Sequence, residues 1–225
     1  MIKTIKINKI AIIAIILILL YIVFSSIDFA KKTYATTYKR PFILIDAGHG
    51  YPDGGAVGTK TEVKESDLNL EYATTLKQLF LSLDYKVELT RNTKSGLDTN
   101  KDEDMNKRRK IIETSSCNVF LSLHMNKFSQ TSSRGAQTFY KINSEPSKVL
   151  AKNITELLCK NLPSSRKLTL GGDYLVLNSA KCPSCLIECG FLSNEDDETM
   201  LQTSAYREKL CYAIFCGTVK FLSSQ

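Results

Sequence analysis

The chain has 225 residues, of which 43% are hydrophobic and 24% are charged, a composition typical of one globular domain with a full core. Its formal net charge is +7, but residues 1–35 hold five lysines and one aspartate, so most of that excess lies at the N-terminus. The remaining residues hold 25 basic and 22 acidic groups and no basic stripe interleaved with aromatic residues. This near balance argues against nucleic acid as a partner.

The N-terminal segment has the pattern of an export signal. The lysines Lys3, Lys6 and Lys9 precede an uninterrupted apolar run, 10–24, which at about 1.5 Å per residue is shorter than a typical ~30 Å hydrocarbon core. Ala35 ends a candidate small-residue cleavage site. We predict that residues 1–35 form a signal peptide or, alternatively, a signal anchor. Both place the rest of the chain outside the cytoplasm, and only a retained segment would hold it at a membrane.

The rest of the chain, after a predicted polar linker at residues 25–41, alternates between strand-like and helix-like segments. Short apolar or alternating runs predict strands at residues 42–46, 86–90, 118–124, 135–140, 174–177 and 185–188. Helical spacing of apolar residues predicts helices at residues 66–83, 105–116, 146–162 and 204–222. Such alternation is typical of an α/β fold. We therefore predict a single domain, residues 36–225, with a mainly parallel or mixed sheet covered by helices on both faces.

The chain has two histidines, and each stands at the end of a predicted strand. His49 lies in a glycine-rich loop that follows the first strand, and His124 ends the third. Because open α/β sheets bind ligands at the carboxyl ends of their strands, we expect both histidines at one site. A catalytic zinc site typically has three protein ligands, so a carboxylate is expected as the third. Glu65, at the start of the next helix, is the best candidate, and Glu62 and Asp67 remain competitors.

A further carboxylate, Glu188, stands near the end of an apolar run and before a glycine. It is therefore expected at a strand end, as the histidines are. A carboxylate beside a zinc-activated water can act as its general base and later protonate the leaving amine. We predict this role for Glu188.

Seven cysteines are present, an odd number that cannot all pair within one chain. Four of them lie in amphipathic or apolar contexts and are predicted to be small core residues: Cys117, Cys159, Cys211 and Cys216. Cys182 and Cys185 have CxxC spacing, but they lead into an apolar strand and do not open a helix, which favours a structural role over a redox role.

Five motifs occur in order within residues 42–222. They are DAGHG from Asp46, DGGA from Asp53, Glu65 with Asn69-Leu70, SLHMN from Ser122 and ECGFLSN from Glu188. Together they resemble the zinc N-acetylmuramoyl-L-alanine amidases of the amidase-3 type. Arg108 also falls where that family usually carries an arginine ahead of the third strand.

The resemblance implies that His49, Glu65 and His124 bind Zn²⁺ and that Glu188 is the catalytic glutamate. The expected reaction is hydrolysis of the amide between muramic acid and L-alanine in peptidoglycan. The short form with an export segment looks most like the germination-specific, cortex-maturing amidases of spore formers, whose action leads to muramic lactam. Such an enzyme would work in the cell wall or spore cortex space.

Two alternatives stay open at this point: a catalytically inactive wall-binding or assembly module on the same fold, and a zinc carboxypeptidase. Because the substrate is an insoluble polymer, we also hypothesise an accessory protein that docks on the domain and promotes its activity or its retention of zinc.

Overall fold

The computed structural model describes residues 9–37 and 40–224, and the chain divides into two compact units, residues 1–40 and 41–225.

The N-terminal unit contains one helix, α1 (Lys9–Thr37). Its segment Ala11–Phe29 is long and apolar enough to cross a membrane. The linker predicted from residue 25 is wrong over its first part, because the helix continues through it. Lys3 and Lys6 of the predicted signal lie outside the described residues. The length and composition of this helix are consistent with a signal peptide or an anchor.

The second unit is built on a six-stranded sheet with the order β2-β1-β3-β6-β4-β5. The strands are β1 (Phe42–Ala47), β2 (Lys86–Leu89), β3 (Val119–Asn126), β4 (Gln137–Lys141), β5 (Leu170–Gly172) and β6 (Ser184–Phe191). Neighbours from β2 to β6 run parallel, β4 runs antiparallel to β6, and β5 runs parallel to β4. The predicted mixed sheet is confirmed.

Helices cover both faces of this sheet. They are α2 (Glu65–Leu81), α3 (Lys101–Thr114), α4 (Glu145–Asn161), α5 (Leu175–Ser179), α6 (Glu195–Leu201) and α7 (Ser204–Leu222). The larger core cluster joins one sheet face to α2, α4 and α7, whereas a smaller cluster joins the other face to α3 and α5. The predicted cover on both faces is therefore confirmed.

The two-residue period of the strands decides which side chains face which cluster. Along β1, Ile43 and Ile45 belong to the larger cluster, and Leu44 between them belongs to the smaller one. In the same way, His124 of β3 shares a face with Phe120, and Glu188 of β6 shares a face with Leu186. The side of the sheet covered by α3 and α5 therefore carries the candidate site.

Two predicted segments differ from the structure, and two short elements were not predicted. The strand predicted at residues 174–177 is wrong, because the helix α5 begins at Leu175, and so short an apolar run has no period that separates strand from helix. The helix predicted from residue 105 begins at Lys101, since the Asn100 side chain accepts hydrogen bonds from two backbone N–H groups of the first turn. The short elements β5 and α6 were not predicted.

Candidate metal centre

Glu65 lies between the two imidazole rings. It is the first residue of α2, and its Oε1 is 2.8 Å from Nδ1 of His124 and 3.3 Å from Nε2 of His49. One donor atom from each of these three residues can be chosen so that all lie within 4.8 Å of one another. The structure thus brings together the three residues predicted as metal ligands.

The two competing carboxylates lie elsewhere. Glu62 is exposed and has a left-handed backbone with φ of 58°. Asp67 is part of α2, and its Oδ1 lies 3.5 Å from the ammonium group of Lys94. Among the described residues, neither belongs to the group with His49 and His124.

The carboxylate of Glu65 is held in place by its backbone surroundings. Its Oε2 accepts a hydrogen bond of 2.8 Å from the N–H of Ala56, and its Oε1 accepts one of 3.1 Å from the N–H of Met125. Burial raises the pKa of Glu65, but hydrogen bonds and charge from His124 and His49 outweigh it, so the pKa falls well below its usual range. Glu65 is therefore ionised, as a metal ligand must be.

Asp53 orients the ring of His49. Its Oδ2 lies 2.8 Å from Nδ1 of His49, and its Oδ1 accepts a hydrogen bond from the N–H of Gly55. Carboxylates that bond the second ring nitrogen of a metal-binding histidine fix its tautomer and orientation. Burial lowers the pKa of His49, but the Glu65 and Asp53 carboxylates raise it to about 9.

Two buried arginines brace the loop that carries His49. The Nε group of Arg91 donates to the carbonyl of Ala47, and its Nη2 donates to the carbonyl of Gly48. Arg108 donates to the carbonyls of Ala47 and His49. These hydrogen bonds hold the carbonyls of Ala47, Gly48 and His49 in place. His49 itself has a left-handed backbone with φ of 60°. Such strain persists only where the surroundings over-determine it.

Asp46 compensates the charge of Arg108 beneath this loop. Its Oδ1 accepts from Arg108 and from the Thr90 hydroxyl, and its Oδ2 accepts from the Ser122 hydroxyl. Burial raises the pKa of Asp46, but Arg108, followed by His124 and the two hydroxyl groups, lowers it to about 2. From the sequence, Asp46 and Arg108 are identified only as residues that match the family pattern. Arg91 is not identified, because its only sequence signal is its position just after β2.

Two glycines leave room for the site. A Cβ added at Gly48 would lie 2.2 Å from Cε1 of His124. A Cβ added at Gly55, which has φ of 66°, would lie 2.5 Å from Oε2 of Glu65 and 2.7 Å from Cδ2 of His49. Side chains at these positions would therefore collide with the three candidate ligands.

Glu188 stands directly across from His124 in the pairing of β6 with β3. Its Oε2 is buried and has no hydrogen-bond partner among the described residues. Burial raises the pKa of Glu188 to about 7, although the positive charge of His124 acts in the opposite direction. An ionisable group with a raised pKa and a free oxygen suits a general base that works near neutral pH.

A cavity of about 190 Å³ lies beside these groups. His49, His124 and Glu188 line one part of it. Apolar side chains from α3, α5 and β6 line another part: Met105, Leu175, Val176 and Leu186. Mostly apolar pockets with a few convergent polar groups are typical of small-molecule and substrate sites.

The donor set fits zinc. Two imidazole nitrogens and one carboxylate oxygen are ligands that catalytic zinc sites use, and three protein ligands leave a position for water or substrate. The Oε2 atom of Glu188 has no hydrogen-bond partner among the described residues, and Glu188 lines the same cavity as the two histidines. Glu188 is therefore suited to act on a water or substrate group at that fourth position. The second carboxylate, Asp53, supplies the support that such a histidine ligand usually has.

The CxxC pair lies at the other end of β6. Cys182 precedes the strand and Cys185 is its second residue, whereas Glu188 lies three residues further along. The prediction that this segment leads into a strand is confirmed. Replacing both cysteines by serine is expected to leave metal content and turnover unchanged. In the reduced protein it should lower the free energy of unfolding by about 1–3 kcal/mol, because the hydroxyl at position 185 would be fully buried.

Metal analysis, a turnover assay and thermal unfolding of this double variant test the expectation. Turnover that responds to a reductant in the wild type, but not in the double variant, would instead assign the segment a redox role.

Comparison with known proteins agrees with this geometry. Residues 43–219 match the family Amidase_3, described as N-acetylmuramoyl-L-alanine amidase. The "Germination-specific N-acetylmuramoyl-L-alanine amidase" of Bacillus subtilis (strain 168) is 31% identical over 204 residues, which are 86% of this chain and 85% of the relative. The N-acetylmuramoyl-L-alanine amidase LytC of the same organism is 31% identical over 181 residues, which are 80% of this chain and 35% of LytC.

Solved structures agree as well. The CwlD amidase from Clostridioides difficile, solved in complex with the GerS lipoprotein, superposes with a TM-score of 0.79 at 36% identity, covering 83% of this chain and 100% of CwlD. The catalytic domain of CwlV from Bacillus (Paenibacillus) polymyxa var. colistinus gives a TM-score of 0.74 at 27% identity, covering 82% and 99% of the two chains. With the family match extending over almost the whole second unit, the chain belongs to the Amidase_3 family of N-acetylmuramoyl-L-alanine amidases.

Proposed function

We propose that this amidase is a zinc enzyme whose metal is held by His49, Glu65 and His124. The observation that carries the proposal is the carboxylate of Glu65 between the two imidazoles, which line a cavity together with Glu188. Zinc in such a site polarises a carbonyl group and lowers the pKa of bound water to roughly 7.

Glu188 is the proposed general base of the reaction. Its partly buried carboxylate takes a proton from the attacking water and returns it to the amine of L-alanine as the amide bond breaks. Its free Oε2 faces no competing donor among the described residues, so that oxygen is available for the proton. Burial of this carboxylate keeps its pKa raised.

Digestion of purified peptidoglycan tests the proposed reaction. The zinc-loaded protein should release stem peptides with a free N-terminal L-alanine and leave muramic acid with a free lactyl carboxyl group. A carboxypeptidase would instead release a C-terminal amino acid, and an inactive wall-binding module would release nothing. Mass spectrometry of the products separates the three outcomes.

We further propose a role in spore cortex maturation and germination. The 31% identity to a germination-specific amidase over most of both chains, and the likeness to CwlD, support this role. In a spore former that lacks its own germination-specific amidase, this chain should restore muramic lactam to the cortex. The Glu188→Gln variant serves as the control, and cortex without muramic lactam in both strains would contradict the role.

An accessory protein is proposed to assist the enzyme. The structure of CwlD was solved in complex with the GerS lipoprotein, and this supports the proposal for the present chain, which is similar to CwlD. A partner stabilises metal binding only as far as it prefers the metal-bound form. We therefore expect the soluble part, residues 36–225, to sediment weakly with purified cell wall and to hold zinc incompletely when alone.

Sedimentation with purified wall, zinc analysis and a turnover assay of residues 36–225 check this expectation. Tight wall binding together with full zinc occupancy and high turnover in isolation would contradict the need for a partner.

A further inference from the structure

Cys117 and Cys182 meet beneath the smaller core cluster. They carry thiols whose sulfur atoms are 2.7 Å apart, although 65 residues separate them in sequence. This separation is well inside the distance that two sulfur atoms keep when they merely touch. Both side chains are half-buried, so a small oxidant can reach them, and both pack against the cluster of α3 and α5.

The sheet explains why these two cysteines meet. Cys117 lies just before β3 and Cys182 just before β6, and β3 and β6 are parallel neighbours. In the register that pairs Phe120 with Ser184, Cys117 lies one residue before the position opposite Cys182, and the N–H of Phe120 donates to the carbonyl of Pro183, the residue after Cys182. Parallel neighbours lie about 4.7–4.9 Å apart, a spacing that suits the Cα separation of a disulfide.

Cys185, the other half of the CxxC spacing, is not positioned for the same contact. It is fully buried and belongs to the larger core cluster, on the opposite face of the sheet from Cys182. Spacing in the sequence pairs Cys182 with Cys185, whereas the fold pairs Cys182 with Cys117.

We propose that Cys117 and Cys182 form a disulfide in the exported protein. The reaction takes a disulfide of low molecular weight, or one on an oxidant protein, as its co-reactant. The Cys117 thiolate attacks one sulfur of that disulfide and expels the other as a thiol. Cys182 then loses its proton and attacks the Cys117 sulfur, which expels the second thiol. Two protein thiols are thereby oxidised by two electrons, and the co-reactant is reduced to two thiols.

The environment of Cys117 suits the first step. A hydrogen bond from the Cys182 thiol lowers the pKa of Cys117 against the effect of burial, and the same contact raises the pKa of Cys182. The attacking species in thiol–disulfide exchange is the thiolate.

The disulfide would tie together the two walls of the substrate cavity. Cys117 follows α3, which supplies Met105 to the cavity, and Cys182 follows α5, which supplies Leu175 and Val176. Closing a loop of this length in the unfolded chain is expected to raise the melting temperature by roughly 5–15 °C. The disulfide would therefore stabilise the cavity walls and take no part in the metal chemistry.

Peptide mapping of the full chain, purified in a mild detergent, tests the proposal. The reduced protein is incubated with oxidised glutathione, unfolded in N-ethylmaleimide and digested. We expect a linked pair of peptides containing Cys117 and Cys182, with the other five cysteines alkylated. Alkylation of all seven cysteines, or a Cys182–Cys185 link, would overturn the proposal.

Thermal unfolding of matched variants tests the stabilising role of this disulfide. Dithiothreitol should lower the melting temperature of the oxidised wild type and of Cys216→Ser, a half-buried control. The same reductant should have no effect on Cys117→Ser or Cys182→Ser. A linked wild type whose melting temperature does not respond to reductant would overturn the structural role.

Discussion

Replacing Glu188 by glutamine is expected to lower turnover by about 10²–10⁴-fold, the range that a general acid–base group contributes. Glutamine has nearly the same size and fits the same place on β6, but its amide cannot accept a proton from water. Burial raises the pKa of Glu188 to about 7, and its Oε2 lacks a hydrogen-bond partner among the described residues. The substitution therefore removes a carboxylate that is suited to proton transfer. Metal content and melting temperature should stay at wild-type values.

Turnover on purified muropeptides, metal analysis and thermal unfolding measure this result together. Glu195→Gln is a matched control, because Glu195 lies exposed on α6 and its carboxylate pairs with Lys60 at 3.5 Å, away from the candidate site. Near-wild-type turnover of Glu188→Gln would remove Glu188 from the mechanism. Metal loss in the same variant would make it a ligand.

Replacing Glu65 or His124 by alanine is expected to abolish stoichiometric zinc binding. Wild type should hold about one zinc per chain, as a three-ligand catalytic site does. Loss of a supporting residue typically costs about 10–100-fold in metal affinity, so loss of a direct ligand should cost more than this. Turnover should fall with the zinc content, because both depend on the same site.

Glu62→Ala and Asp67→Ala are the controls for this experiment. Both remove a carboxylate within three residues of Glu65, and neither side chain lies in the group formed with His49 and His124. Glu65→Gln, which keeps an oxygen for the N–H groups of Ala56 and Met125, separates metal loss from a folding defect. Zinc loss in Glu62→Ala alone would show that the assignment of Glu65 is wrong.

The sequence by itself determined the elements whose patterns are local. The strand before His49, the strand that ends near His124 and the helix at residues 204–222 are correctly placed, because hydrophobic periodicity over these segments is unambiguous. Strand-end histidines followed from the same patterns and from the rule that open α/β sheets bind ligands at their carboxyl edge. Short apolar runs such as 174–177 carry too few residues for a period, and there the prediction was wrong.

Only the tertiary structure decided which distant side chains meet. From spacing alone, three carboxylates competed for the third ligand position, and the fold brings Glu65 between the imidazoles. The strand order β2-β1-β3-β6 likewise brings Arg91 to the carbonyl of Gly48 in the His49 loop. It also brings Cys117 into contact with Cys182. The physical reason is that strand order results from packing the whole core, whereas periodicity reports only the neighbours along the chain.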